Sequence, residues 1–136
     1  MNLADLAVGT TLDLITLNFS LEKIANYLAA TSDDSDMWIQ EAIVPPLLVS
    51  AAILSELMKQ VNLPPNLMHT GQEHTAHSTV PADTDLMATV TLAQYSQRGG
   101  ALIASFEANL VDTNKKLLFS TKSTTLIALD LDYLRT

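Results

Sequence analysis

The chain has 136 residues and a net charge of −8, with seven Lys and Arg against fifteen Asp and Glu, and it contains no cysteine. This length fits one domain over residues 1–136 that folds without a disulfide or a structural metal. The few cations argue against nucleic acid and anionic membranes as partners, and the missing thiols exclude cysteine catalysis and zinc–thiolate sites. The amino terminus lacks the basic and apolar regions of a signal peptide, so we expect a cytoplasmic protein.

The first part of the chain predicts one strand and one short helix. Residues 10–19 alternate loosely between apolar and polar side chains, which favours a strand. Ser20 is a typical helix N-cap, and apolar side chains at positions 21, 24, 25 and 28 predict an amphipathic helix over residues 21–30. An acidic loop over residues 31–36 then leads through Trp38 toward the middle of the chain.

Residues 45–61 form the most apolar stretch of the sequence. Two prolines open it, and prolines suit the first turn because the first helical amides have no partner within the helix. Apolar side chains then occupy every side of the first turns. At 1.5 Å per residue the run is about 25 Å long, which is too short to span a bilayer. The pattern predicts a central helix that is enclosed by protein on all sides.

Strand patterns dominate the remainder of the chain. Four strands are predicted, over residues 68–79, 86–96, 101–111 and 117–129, with tight turns after residue 97 and after residue 111. The last three are 11–13 residues long by these bounds, which exceeds the usual strand length. Long antiparallel strands can curve around a helix. We therefore predict an α+β fold in which a bent antiparallel sheet wraps around the helix at 45–61.

Short motifs are spread in a fixed order along residues 6–129. They are Val8-Gly9, FSLEKIANYLAA at 19–30, TSDD at 31–34, Ile43-Val44, MHTGQE at 68–73 and VPADTDL at 80–86. In sequence and order they resemble the MaoC-like hydratases and dehydratases, which include (R)-specific enoyl-CoA hydratases. The resemblance implies a hot-dog fold, which is a bent sheet around one helix. It also implies an acyl-CoA or acyl-carrier-protein thioester as ligand, no cofactor, and assembly with a second hot-dog chain, either a copy or a catalytic homologue.

The same resemblance implies catalytic groups that this chain lacks. Active members carry Asp-x-Asn-Pro-x-His in the acidic loop, and aligning SDDSDMWI with it places Asp34 at the Asp and Ile39 at the His, or Trp38 if the register slips by one. Neither Ile nor Trp can transfer a proton. Active members also present a glycine amide to the thioester oxygen where this chain has Pro45 and Pro46, which have no N–H. The chain thus resembles the non-catalytic amino-terminal halves of double hot-dog dehydratases.

The resemblance and the residue types together nominate the site. Asp34 is a candidate relic of the catalytic carboxylate, with an ordinary acidic loop residue as the alternative. The residues expected to bind substrate are Trp38, Ile39, Pro45, Pro46 and His77, with a place in the core as the alternative for Trp38 and a structural or surface role as the alternative for His77. The function implied is an acyl-thioester-binding or structural subunit of the hydratase type.

A hot-dog acyl-CoA thioesterase is the alternative function. In that case Glu56 on the central helix is the candidate catalytic carboxylate, unless it only marks the exposed end of the helix. Strand alternation places His69 and His77 on one face and His74 on the other, so we expect these histidines not to share a zinc ion.

Overall fold

A computed structural model describes residues 6–12, 14–64 and 66–128. Five strands form one antiparallel sheet in the order β1-β3-β4-β5-β2. The elements in chain order are β1 (Ile15–Leu17), α1 (Leu21–Ala30), α2 (Met37–Gln40), α3 (Pro46–Gln60), β2 (Leu67–Ala76), β3 (Leu86–Arg98), β4 (Ala101–Val111) and β5 (Leu117–Ala128). This architecture confirms the predicted α+β hot-dog fold.

The core lies between α3 and one face of the sheet. Alternate residues of the long strands point to that face because side chains alternate along a strand. Those from β3 are Leu86, Ala88, Val90 and Leu92, those from β4 are Ala104, Phe106, Ala108 and Leu110, and Phe119 comes from β5. The helix contributes Val49, Ile53 and Leu57 to the same cluster. We call this side of the sheet the inner face and the opposite side the outer face.

The helix α3 is not enclosed on all sides, and that prediction is wrong for a single chain. Leu47 and Met58 are each 58% exposed, whereas Val49 and Ile53 are almost fully buried. A single five-stranded sheet can cover only one side of a helix, so the opposite apolar side stays open.

The predicted and observed ends of a helix agree where the sequence contains a capping residue. The Ser20 side chain accepts a hydrogen bond of 3.1 Å from the Lys23 amide, and α1 has the predicted bounds. The strand β1 covers Ile15–Leu17, and among the described residues before it Thr11 forms an isolated bridge with Thr91. The short helix α2 was not predicted. The residue Leu129, at the predicted end of the last strand, lies outside the described residues.

A β-bulge interrupts the pairing of β2 with β5. His69 lies opposite Thr125 and Gly71 opposite Thr124, so Thr70 has no directly opposite residue. Thr125 is a buried inner-face residue, and Thr124 points to the outer face. An extra residue of this kind shifts the alternation of every side chain that follows it.

The bulge overturns the predicted arrangement of the three histidines. His74 lies on the inner side, where its ring stacks on Phe119 at a centroid distance of 5.9 Å. His69 lies on the same inner side, whereas His77 contacts Ser120 of the outer face. The prediction grouped His69 with His77 because it assumed unbroken alternation. His69 and His74 in fact share a face.

Candidate functional site

A cleft of about 200 Å³ opens between the start of α3 and the end of β2. Its lining residues are Trp38, Ile43, Val44, Pro46, Ala76, His77, Ser78, Thr79, Val80 and Phe119. Two chain segments are tied together beside it, since the Val44 amide donates to the Val80 carbonyl at 2.8 Å and Ile43 forms an isolated bridge with Pro81. These contacts hold the entrance to α3 against the segment that follows β2.

Three of the predicted substrate-binding residues meet at this cleft. Trp38 from α2, Pro46 from α3 and His77, which follows directly after β2, all line it. Pro45 is buried next to Pro46 as the N-cap of α3, and Ile39 packs half-buried against the core. Neither of these two is among the lining residues, and binding of substrate by all five stays a prediction.

The start of α3 is poor in hydrogen-bond donors. Pro45 is the N-cap and Pro46 the first helical residue, and neither has an N–H group. The first amide N–H of the helix therefore belongs to Leu47. The next two amides, of Leu48 and Val49, donate back to the Pro45 carbonyl at 3.0 Å and 3.3 Å.

His77 is the only titratable side chain among the residues that line the cleft. Its Nε2 lies 3.0 Å from the Ser120 Oγ, and that hydroxyl donates to the Asn109 Oδ1 at 2.8 Å. The tautomer of the imidazole sets whether His77 donates to Ser120 or accepts from it.

Sequence reasoning did not predict the contacts of His77 with Ser120 and of Ser120 with Asn109, and neither Ser120 nor Asn109 lines the cleft. They lie opposite each other in the β4–β5 pairing, on the outer face of the sheet. Their contact with His77 depends on the register of three strands and on the bulge in β2. No spacing in the sequence carries that information.

Asp34 and Glu56 lie outside the cleft. Asp34 is exposed in the loop between α1 and α2, away from the lining residues. Glu56 forms an ion pair of 2.9 Å with Lys59 and borders a different groove, together with Lys23 and Asn26. The structure therefore does not bring either predicted carboxylate to the cleft.

A second, largely apolar cavity of about 190 Å³ lies beside the carboxyl-terminal half of α3. Its walls are Leu54, Leu57, Met58, Leu63, Leu67, His69, Phe106, Ser123 and Thr125. Most of its walls are apolar and none is a carboxylate, a lysine or an arginine, so it suits an apolar group.

Within residues 6–12, 14–64 and 66–128, no three or more His, Asp or Glu side chains are placed to hold one metal ion. None of the described helices has both the length and the apolar character needed to cross a membrane.

Comparison with known proteins finds likeness in structure alone. No protein-family model matches the chain, and no curated protein matches its sequence. Among solved structures, the (R)-hydratase from A. caviae involved in PHA biosynthesis aligns with a TM-score of 0.75 and 16% identity, over 90% of this chain and 98% of that one.

Two further solved structures give the same result. The MaoC-like dehydratase from Rhodospirillum rubrum has a TM-score of 0.68 and 14% identity, over 93% of this chain and 95% of that one. The C-terminally truncated HadBC (3R-hydroxyacyl-ACP dehydratase) complex from Mycobacterium tuberculosis has a TM-score of 0.70 and 14% identity, over 88% and 96%. At these identities the likeness establishes the fold: this chain has the hot-dog fold of the MaoC-like hydratases and dehydratases.

Proposed function

We propose that this protein binds an acyl-CoA or acyl-carrier-protein thioester in the cleft at the start of α3 and does not hydrate enoyl thioesters by itself. The observation that carries the proposal is the composition of that cleft. Its walls are mainly apolar, they include Pro46 at the helix start next to Pro45, and none of them is a carboxylate. Hydration needs a paired acid and base and a donor to the thioester oxygen.

The size and lining of the cleft support a thioester as ligand. Trp38, Val44, Val80 and Phe119 offer apolar walls to an acyl chain, and Ser78 and Thr79 offer polar atoms at the side. A volume of about 200 Å³ is below the roughly 300–1,000 Å³ of a site for a drug-sized molecule. The cleft therefore fits the thioester group and a short chain, and the remainder of the carrier lies outside it.

The edge of the sheet supports assembly with a second hot-dog chain. Among the residues that the structure describes, the strand β2 pairs with β5 alone, so the other edge of its ten residues has no partner strand there. An unpaired edge is a ready template for another strand. The cleft residues Ala76 and His77 lie at the end of β2, so a partner strand along β2 would run beside the cleft.

Two kinds of partner fit this edge. A second copy would give a homodimer, and a homologue with the complete Asp-x-Asn-Pro-x-His motif would give a heterodimer with one active chain. The HadBC structure, described as a complex, supports assembly of the second kind as a model for this fold.

Calorimetric titration of the purified chain with crotonyl-CoA tests the binding proposal. Ala76→Trp places a large ring in the cleft from an exposed position of β2, and we expect it to weaken binding at least tenfold. Thr75→Trp is the matched control, because the adjacent residue points to the outer face. Equal affinities of the two variants would contradict the proposed site. Absence of binding, together with a stable heteromer in cells, would instead favour a structural module without a ligand.

The alternative function, a thioesterase that uses Glu56, has no support in the site geometry. Glu56 is paired with Lys59 and borders a groove on another side of the helix. A carboxylate at that place cannot reach a thioester held against Pro46 and His77.

A further inference from the structure

We propose that the acyl chain of the ligand carries an oxygen substituent near its middle and that the Ser50 hydroxyl recognises this oxygen by a hydrogen bond. This inference rests on the proposed thioester-binding function, and it adds the class of acyl chain and a residue that selects it. The observation that carries it is the Ser50 hydroxyl itself, which is buried on α3 and has no hydrogen-bond partner among the described residues.

One row of side chains on α3 leads from the cleft to the second cavity. Residues four apart along a helix lie on the same face, one above the other. Pro46 lines the cleft, whereas Leu54 and Met58 line the second cavity. Ser50 is four residues from Pro46 and four from Leu54, so it belongs to the same row and lies between the two spaces. Pro46 and Leu54 are separated by about 12 Å along the helix axis.

The sheet opposite this row also extends from one space to the other. On β5, Phe119 lines the cleft and Ser123 lines the second cavity. Thr121 lies between them on the same inner face, because side chains alternate along a strand. On β2, Ala76 lines the cleft and His69 lines the second cavity. We call the space between the row on α3 and these parts of β2 and β5 the α3–β2 groove.

The inner face of β5 is polar beside this groove. Thr121, Ser123 and Thr125 are all buried there, whereas the inner-face residues of β3 are apolar. Each of the three hydroxyls donates a hydrogen bond within the protein, to acceptors on β2 or β4 at 3.1, 2.8 and 2.9 Å. A hydroxyl has two lone pairs besides its proton. This side of the groove therefore tolerates a polar group better than the remainder of the core does.

Ser50 differs from the β5 hydroxyls because it is not paired. Its side chain is 9% exposed, and its Oγ forms no hydrogen bond with any described residue. Buried hydroxyls are paired in the great majority of cases, since leaving one unpaired is destabilising. Among the described residues, the other buried side-chain polar atom without a partner is Gln60 Oε1, at the last residue of α3 and outside the row. A ligand in the α3–β2 groove would supply the partner that Ser50 lacks.

The place of Ser50 in the row predicts the place of the oxygen on the acyl chain. Ser50 lies about 6 Å beyond Pro46 along the helix axis. An extended hydrocarbon advances about 1.3 Å per carbon, given a C–C bond of about 1.5 Å. With the thioester carbonyl beside Pro46, Ser50 lies near the sixth carbon of the chain. The mainly apolar second cavity then holds the end of a chain of about ten carbons.

Calorimetric titration with decanoyl-CoA and 6-hydroxydecanoyl-CoA tests the inference. A saturated chain covers the Ser50 hydroxyl and leaves it unpaired, whereas the 6-hydroxyl pairs with it. We expect the natural chain to bind the 6-hydroxy ester about two- to tenfold tighter, which is the effect of one net hydrogen bond. The isomer 10-hydroxydecanoyl-CoA is the ligand control. Its hydroxyl would enter the apolar cavity, so it should bind no tighter than decanoyl-CoA.

Ser50→Ala assigns the preference to one side chain. The variant removes the hydroxyl and nothing else, so it should bind decanoyl-CoA at least as well as the natural chain and lose the preference for the 6-hydroxy ester. Ser55→Ala is the matched control, because Ser55 is an exposed serine of the same helix that borders the space beside Glu56. We expect Ser55→Ala to keep the full preference.

The outcomes separate this inference from the proposed function. Equal binding of decanoyl-CoA and 6-hydroxydecanoyl-CoA by the natural chain would overturn the inference and leave the thioester site in place, and this comparison does not depend on any variant. A preference that persists in Ser50→Ala would show that another group recognises the oxygen. Binding of crotonyl-CoA but of no decanoyl ester would exclude the α3–β2 groove as the path of the chain. If none of the esters binds, the proposed function fails, and this inference fails with it.

Discussion

One-sided burial of α3 makes a quantitative prediction about its side chains. Ile53 is 3% exposed in the middle of the helix, between the buried residues Val49 and Leu57. Truncation to Ala removes buried methyl groups and leaves a cavity, which typically costs about 2–5 kcal/mol in the free energy of unfolding. Natural domains are stable by only about 5–15 kcal/mol. Ile53→Ala should therefore remove a large share of the total stability.

Leu47→Ala on the same helix is the matched control. Leu47 is 58% exposed, so the truncation removes mostly solvated surface. We expect a loss below about 1 kcal/mol, since complete burial of such a side chain is worth only about 1.5–3 kcal/mol. Urea unfolding followed by circular dichroism, at one fixed protein concentration, gives both values from the shift in midpoint at constant slope. Equal losses in the two variants would refute one-sided burial of the helix.

Three further predictions test the cap, the chemistry and the assembly. Ser20→Ala should cost about 1 kcal/mol in urea unfolding, since it removes the acceptor for the Lys23 amide; no change would mean that the cap does not stabilise α1. The chain alone should not hydrate crotonyl-CoA, measured by enoyl absorbance, and turnover of about 1–10³ per second would contradict our alignment of Ile39 and Pro46. Light scattering should give a dimer, and a monomer at micromolar concentration would count against pairing through β2.

The elements with strong apolar periodicity were predictable from the sequence. The bounds of α1 and β4 agree with the predicted ones, because a cap or a turn marks each end. The short helix α2 has only four residues, too few for a periodic pattern. The open face of α3 was not predictable either. The sequence shows which side chains of the helix are apolar, but it does not show which of them the sheet covers.

The register of β2 against β5 could not be predicted from the sequence. Both faces of this strand carry mainly polar side chains, and eight of its ten residues are exposed. Register is weakly specified where no apolar face has to be buried. The bulge at Thr70, and with it the faces of the three histidines, therefore left no trace in the pattern.

The candidate site was predictable in part. The residues Trp38, Pro46 and His77 were nominated from the sequence and meet at one cleft, but their role in binding remains a prediction. Asp34 and Glu56 were proposed from their positions in the sequence. Such a position does not determine the direction in which the carboxylate points from its loop or helix.

Because Thr70 is an extra residue in β2, the faces of the later side chains depend on the number of residues in this strand more than on which amino acids they are. Most side chains on both of its faces meet solvent, so many exchanges of one amino acid for another should be harmless there. Removal of Thr70 would move each later side chain of β2 to the opposite face of the sheet, and it would separate His77 from Ser120. In homologues that keep the hydrogen bonds from His77 to Ser120 and from Ser120 to Asn109, we therefore expect the amino acids of β2 to vary. The number of residues between the start of β2 and His77 should be conserved.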